Sequence, residues 1–357
     1  MRNQSLDSIK IIAMCGVMIL HTTVEFHLGY DVVSHSLFSM AGISMPLFFM
    51  VSGYLMLNRG KDYQYFIPKI LNIVKFVCLI TLILDIISLG TDFRLKTWAF
   101  DFIGAFLKFG RYGILWYFSA ISFLYLLTPF LDKLHKKSLI GYYLVLIFCL
   151  IVSSIIQDSD IVYHFEYKIL QPLRVWYWIS FFMIGGAIRK LVENQYQNTM
   201  YSNLRSIGRD SGPILCNTLK KWRVRTVWGG VKILIICILY ILYVFYYKLL
   251  KDSLGQYGIE YMFGTLPCLI LSVSVFVFVI KLQISDNRII KEVSALFLPA
   301  YAIHMPLIRV VRPTLPVFDS LNSSLRSLIL YNIIIIGVLT ISWLLMKTPI
   351  LKNLFRI

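Results

Sequence analysis

Charged residues are scarce in this chain. They make up 15% of its 357 residues, while 58% are hydrophobic and the mean hydropathy is +0.73. Soluble domains run at about 45–50% apolar with about a quarter of their residues charged. A soluble globule would need a core helix behind every apolar run. Several runs here reach about 20 residues, the length that crosses a ~30 Å hydrocarbon layer. Acidic residues are rarer than basic ones, 18 against 35, which leaves a formal net charge of +17. The Lys and Arg lie mainly in the short connections between apolar runs, a distribution that positive-inside topology explains and a nucleic-acid patch does not. Cysteine is sparse, at positions 15, 78, 149, 216, 237 and 268, with no CxxC and no Cys/His ligand spacing. This argues against disulfides and a metal site, and for small core hydrophobes. No internal repeat, low-complexity tract or soluble domain stands out. The apolar run that opens the chain continues into His21, Thr22, Thr23 and Glu25 without a small-x-small cleavage site, so it reads as a retained first span and not as a signal peptide.

What is present is a series of apolar runs of helical length. Ten candidate spans lie near 9–27, 37–57, 66–90, 113–131, 139–157, 172–189, 228–248, 259–281, 292–310 and 327–346. The expected fold is an all-α polytopic membrane protein of about ten transmembrane helices, one domain over residues 1–357. Residues 92–112 mix Phe, Trp, Arg, Lys and Asp and read as an interfacial or partly re-entrant piece. An even number of spans puts both termini on one side. With the N-terminus cytoplasmic, 22 Lys and Arg fall on that side and 11 on the other, which predicts N-in and C-in. Much of this bias comes from a basic cytoplasmic loop expected at 189–227, too short to fold alone.

The first span holds the most informative pair. Lys10 and His21 are eleven residues apart, three helical turns plus roughly 20°, so they share one face about 16 Å apart. An ionisable residue at the depth of His21 is costly and by default marks a functional interior; the alternative is a packing histidine bonded to a neighbouring span. Glu25 lies one turn further on the same face. A carboxylate there can fix the imidazole tautomer and stabilise imidazolium, or it can stand solvated at the interface.

At this point a family likeness emerges. LDSIKIIAMCGVMILH, Leu6 to His21, resembles the first span of the acyltransferase-3 family of integral membrane O-acyltransferases, which carries Arg, ten residues and His; Lys10 stands in the Arg place. PLFFMVSGYLM, Pro46 to Met56, resembles the family's Phe-rich Ser-Gly segment, where Gly53 permits close helix approach and Ser52 can bond across helices. YFIPKILNIVKF, Tyr65 to Phe76, resembles the family's Arg-x-x-Arg region, thought to meet the donor's phosphates. Lys69 and Asn72 occupy those places, and Lys75 one turn deeper can restore a second positive charge or snorkel. LWYFSAISFLYLLTPFL, Leu115 to Leu131, is similar to the family's Trp…Tyr-Leu-x-x-Pro span, with Trp116 and Tyr117 as plain interfacial anchors. LFLPAYAIHMPLI, Leu296 to Ile308, resembles the late Tyr-Leu-x-His-x-Pro motif, with Tyr301, His304 and Pro306. His304 is expected at a depth comparable to His21, either lining the same cavity or satisfying backbone groups at a proline kink.

The resemblance implies transfer of an acyl group, acetyl above all, from cytoplasmic acetyl-CoA or another acyl-CoA to a hydroxyl of a cell-surface or lipid-linked saccharide such as O-antigen or capsule. The expected place is the bacterial cytoplasmic (inner) membrane, in contact with membrane lipid, with no nucleic-acid partner and no metal. His21 would be the general base and Glu25 its orienting partner. Lys10, Lys69 and Lys75 would meet the donor's phosphates, and Ser52, Tyr301 and His304 would line the substrate cavity. The rival class is a transporter, flippase or polymerase of polysaccharide intermediates. Transporters often show paired halves with matching broken helices, and no such symmetry is visible here.

Overall fold

The computed structural model describes residues 3–28, 31–163, 171–207, 233–246, 262–282 and 284–348. Among them every regular element is helical and none is a strand. The chain runs through Gln4–Glu25 (α1), Val32–Ala41 (α2), Ser44–Met56 (α3), Tyr63–Leu89 (α4), Leu95–Leu107 (α5), Trp116–Lys137 (α6), Leu139–Tyr163 (α7) and Val175–Ile207 (α8). Ile233–Tyr246 (α9), Leu266–Lys281 (α10), Arg288–Ala295 (α11), Phe297–Val311 (α12) and Ser323–Lys347 (α13) follow. Polar caps set the helix starts. Asn3 accepts from the amides of Ser5 and Leu6 at the head of α1, and Asp31 from Ser34 at the head of α2, satisfying amides that have no partner within the helix.

Among the described residues, seven helical stretches are long and apolar enough to cross a membrane: Gln4–Glu25, Val32–Met56, Tyr63–Ser88, Gly113–Lys137, Leu139–Ile156, Val175–Gln195 and Ser323–Lys347. α11 and the helix that follows it pass the same test together, bent by 55° at their junction, and would make an eighth. α9 and α10 are shorter apolar helices at the places of the seventh and eighth expected spans. The chain is therefore an all-α, multi-pass membrane protein. α5, with 13 residues, is about 20 Å long and cannot cross a ~30 Å layer. α8 continues to Ile207, so the expected loop at 189–227 begins as helix. The Arg189–Glu193 pair at 2.7 Å, one turn apart, supports that extension; residues 208–227 lie outside the described part of the chain.

Burial separates inner from outer helices. The Val32–Met56 span has 78% of its most apolar window buried, against 17% for Leu139–Ile156 and 28% for Ser323–Lys347. α3 sits innermost because it meets α8 backbone to backbone. A Cβ on Gly53 would run into the carbonyl of Phe182, and one on Gly185 into that of Met50, a small-residue contact of the kind that lets membrane helices close up. α1 packs against α2, α3, α10, α11, α12 and α13, while α4 packs on α5 and α6.

Trp116 and Tyr117 are not interfacial anchors. Both are buried, Trp116 against Trp178 with centroids 5.1 Å apart and Tyr117 against Phe49 at 5.1 Å. An aromatic at a helix start anchors at the interface only if its face looks outward, and α6 turns this face onto α3 and α8.

Candidate active site

α1 is unbroken from Gln4 to Glu25, so Lys10 and His21 do share a face, about 16 Å apart. His21 stands one turn before the helix ends and is partly exposed. Beside it lies His304 of α12, with ring centroids 5.2 Å apart and planes inclined at 47°. His304 is fully buried, and its Nδ1 is 2.8 Å from the carbonyl oxygen of Tyr301. A carbonyl only accepts, so Nδ1 carries the proton, and in the neutral ring Nε2 keeps a lone pair. That nitrogen has no hydrogen-bond partner among the described residues. An unpaired buried acceptor costs about 1–3 kcal/mol, and its retention asks for an explanation, a catalytic role among them.

From His304 a line of polar rings leads into the bundle. The Tyr301 ring is 5.6 Å from that of His304 and 5.9 Å from that of Tyr117. The Tyr117 hydroxyl lies 3.1 Å from Ser52 Oγ, and the Tyr301 hydroxyl donates to the carbonyl of Ile114 at 2.7 Å. Four helices thus bring His21, His304, Tyr301, Tyr117 and Ser52 into one connected run. Among the described residues no group of three His, Cys, Asp or Glu gathers that could hold a metal ion.

Glu25 turns elsewhere. Its carboxylate pairs with Arg312, beyond the end of α12, at 3.6 Å, and no hydrogen bond or ion pair joins it to His21 among the described residues. The i+4 spacing put Glu25 on the correct face, but the fold supplies a guanidinium there. His304 occupies the position beside His21 instead, and Lys108, at the end of α5, is near enough for its charge to reach His21.

A second polar network ties down the same end of α1. Thr23 Oγ1 is 2.9 Å from the Tyr331 hydroxyl, which donates to Ser34 Oγ at 3.1 Å; Ser34 donates to Ser327 at 2.6 Å, and Ser327 to Asp31 at 2.8 Å. Burial pushes the Asp31 carboxyl up, but hydrogen bonds from Ser34, Ser327 and Ser324 outweigh it and hold the group below the usual carboxylate range.

The expected donor-binding lysines are not gathered in this way. Lys10 pairs with the buried carboxylate of Asp7 at 3.5 Å. Lys69 stands over the Tyr65 ring at 5.1 Å, as does Lys61 at 5.5 Å. Lys69 lies near the start of α4 and Lys61 just before it, and the main packing of that helix is on α5 and α6 and not on α1. Lys75 is exposed, between the exposed Leu71 and Leu79 one turn to either side. On a helix long and apolar enough to cross a membrane, such an exposed apolar stripe is the setting of a lysine that snorkels toward the headgroups.

Tyr117, read from the sequence as an interfacial anchor, belongs to this neighbourhood, and so does Lys108, which the sequence reading did not single out. So does an ion cluster of Asp85, Asp101 and Arg111 behind Lys108, with Arg111 Nη2 at 3.1 Å from Asp85 and 2.6 Å from Asp101. One signal was available: Asp85 is the only carboxylate inside the apolar run expected at 66–90, and an intramembrane carboxylate is a functional flag.

The acyltransferase domain that defines the acyltransferase-3 family matches residues 3–347. No curated protein and no solved structure matches the chain. The chain belongs to the acyltransferase-3 family and is a multi-pass membrane acyltransferase.

Proposed function

We propose that this acyltransferase moves an acetyl group from acetyl-CoA, bound from the cytoplasm, to a hydroxyl of a cell-surface or lipid-linked saccharide in the bacterial cytoplasmic membrane. The observation that carries this reading is the histidine pair. A partly exposed imidazole, His21, lies beside a buried one whose tautomer is set by a backbone carbonyl. In this reading the Nε2 lone pair of His304 accepts the His21 N–H after a small ring rotation. The other nitrogen of His21 then faces the acceptor as a base. This is the orienting role that a carboxylate plays in a catalytic triad.

The transfer then balances simply. The saccharide oxygen forms a bond to the thioester carbonyl carbon as its proton passes to His21, and collapse of the adduct expels the coenzyme A thiolate, which takes that proton. A positioned general base contributes typically about 10²–10⁴-fold. In this reading the charge of Lys108, which reaches His21, favours the developing oxyanion.

The donor's phosphates need cations at the opposite end of α1, and Lys10 and Lys69, with Lys61, are among the basic groups there. The distance of about 16 Å along α1 from Lys10 to His21 is of the order of an extended phosphopantetheine arm. A thioester can therefore reach the histidines while its phosphates stay at the surface. The bias of 22 basic residues against 11 supports the Lys10 end as cytoplasmic.

The test is NMR of the surface polysaccharide with and without the gene. Loss of an O-acetyl signal on deletion, restored by the wild-type gene, is expected. Unchanged acylation together with altered chain length or export would contradict the proposal and point to a transporter or polymerase role.

A further inference from the structure

Near the histidine pair the chain keeps two carboxylates and a guanidinium together. Asp85, near the end of α4, is fully buried, and Asp101, in the middle of α5, is nearly so. Both converge on Arg111 in the segment joining α5 to α6. Arg111 Nη2 lies 3.1 Å from Asp85 and 2.6 Å from Asp101, its Nε donates to Asp101 at 2.8 Å, and its backbone N–H donates to the same carboxylate at 3.0 Å. Two buried carboxylates around one guanidinium are expensive to desolvate, so their retention calls for a role that apolar packing would not fill.

The role follows from what the gripped segment touches. It is folded tightly back on α5. Lys108 and Gly110 both have positive φ, 62° and 68°, and a Cβ on Gly110 would press on the Asp101 carboxylate. From this tight turn the backbone reaches α12 at two places. The carbonyl of Ile114 accepts from the Tyr301 hydroxyl at 2.7 Å, and the carbonyl of Arg111 itself accepts from Arg309 Nη2 at 2.9 Å. Those anchors are two helical turns apart on α12, with His304 between them, so together they set both the height and the tilt of that helix. Lys108, at the start of the same turn, is the residue whose charge acts on His21.

We infer that Arg111, clamped between Asp85 and Asp101, is a positioning residue for acyl transfer: it fixes the 108–115 turn on which the His304 helix is seated against His21. This rests on the reading of His21 and His304 as the reacting site. A cluster serving only to fasten α4 to α5 would need no backbone link to α12. The links found here run through Arg111's own carbonyl and through Ile114, three residues on.

The test is steady-state kinetics of purified, membrane-reconstituted Arg111→Lys with acetyl-CoA and the acceptor saccharide. Lysine keeps the charge but not the fork that holds two carboxylates at once. Misplacement of a reacting group on the ångström scale costs roughly 10–100-fold. The expected result is a kcat lowered by about that much, with both KM values within about twofold. In a Tyr301→Phe background, where the link to Ile114 is already cut and only the Arg309 link remains, Arg111→Lys should cost clearly less than it does in the wild type. Wild-type kcat, a raised KM with unchanged kcat, or losses that multiply in the double variant would each overturn the inference. Should Arg111→Lys fail to yield a monodisperse protein, Asp101→Asn, which keeps the shape and the backbone acceptor, goes through the same cycle. His21→Ala separates this inference from its premise. An inactive His21→Ala beside a fully active Arg111→Lys removes only the positioning role, whereas an active His21→Ala removes the site itself.

Discussion

The two ends of α1 are built differently. At the Glu25 end, side chains from α1, α3, α6 and α12 converge on one run of polar rings, and a buried ion cluster holds the turn beneath it. At the Gln4 end, the cations expected to meet a donor are dispersed: Lys10 against its own Asp7, Lys69 over Tyr65 on a separate helix, Lys75 in an exposed apolar stripe. The difference matches the chemistry that the proposed transfer asks of each end. Proton transfer needs groups held within hydrogen-bond reach in a low dielectric, where an unpaired polar atom is costly and every neighbour must be arranged. Phosphates can be met by mobile ammonium groups at a wet surface, with no fixed geometry.

That contrast can be broken first at the histidine end. His304→Asn keeps a donor for the Tyr301 carbonyl but loses the imidazole lone pair, so kcat should fall by about 10²–10⁴-fold in an acetyl-transfer assay with KM for acetyl-CoA little changed. A wild-type rate would reduce His304 to a packing residue. The donor end should respond far less. Lys10→Ala is expected to raise KM for acetyl-CoA by about 2–5-fold at unchanged kcat, the scale of an exposed charge contact. Lys75→Leu should change neither parameter. A large effect at Lys75 would mean that the stripe on α4 faces the donor and not lipid.

Much of the fold was legible because run length and apolarity are properties of one segment at a time. α1, α4, α6, α7 and α13 fall where the apolar runs said, and α5 is too short to cross, as its mixed composition suggested. His21 and His304 were legible as histidines at depth and Ser52 as a residue able to bond across helices, and the fold connects them through Tyr301 and Tyr117. Pairing between segments was not legible. Glu25 is on the right face of its own helix, yet its partner, Arg312, arrives from 287 residues further on. Tyr117 looked like an interfacial ring until α6 turned it onto Phe49. The Arg111 cluster joins α4 to the α5–α6 turn, and only Asp85, alone in an apolar run, hinted at it. The expected loop at 189–227 begins as helix through Ile207, since polar composition does not by itself end a helix that i,i+4 pairs such as Arg189–Glu193 support.

The central claim is that His21 and His304 act as one unit. The most direct measurement is a double-mutant cycle on kcat for acetyl transfer, with His21→Ala, His304→Asn and the double variant made in the same reconstituted protein. If the two imidazoles work in series, the double variant is no slower than the slower single one. Losses that multiply across the cycle, or a His21→Ala protein that still transfers acetyl at the wild-type rate, would contradict the account.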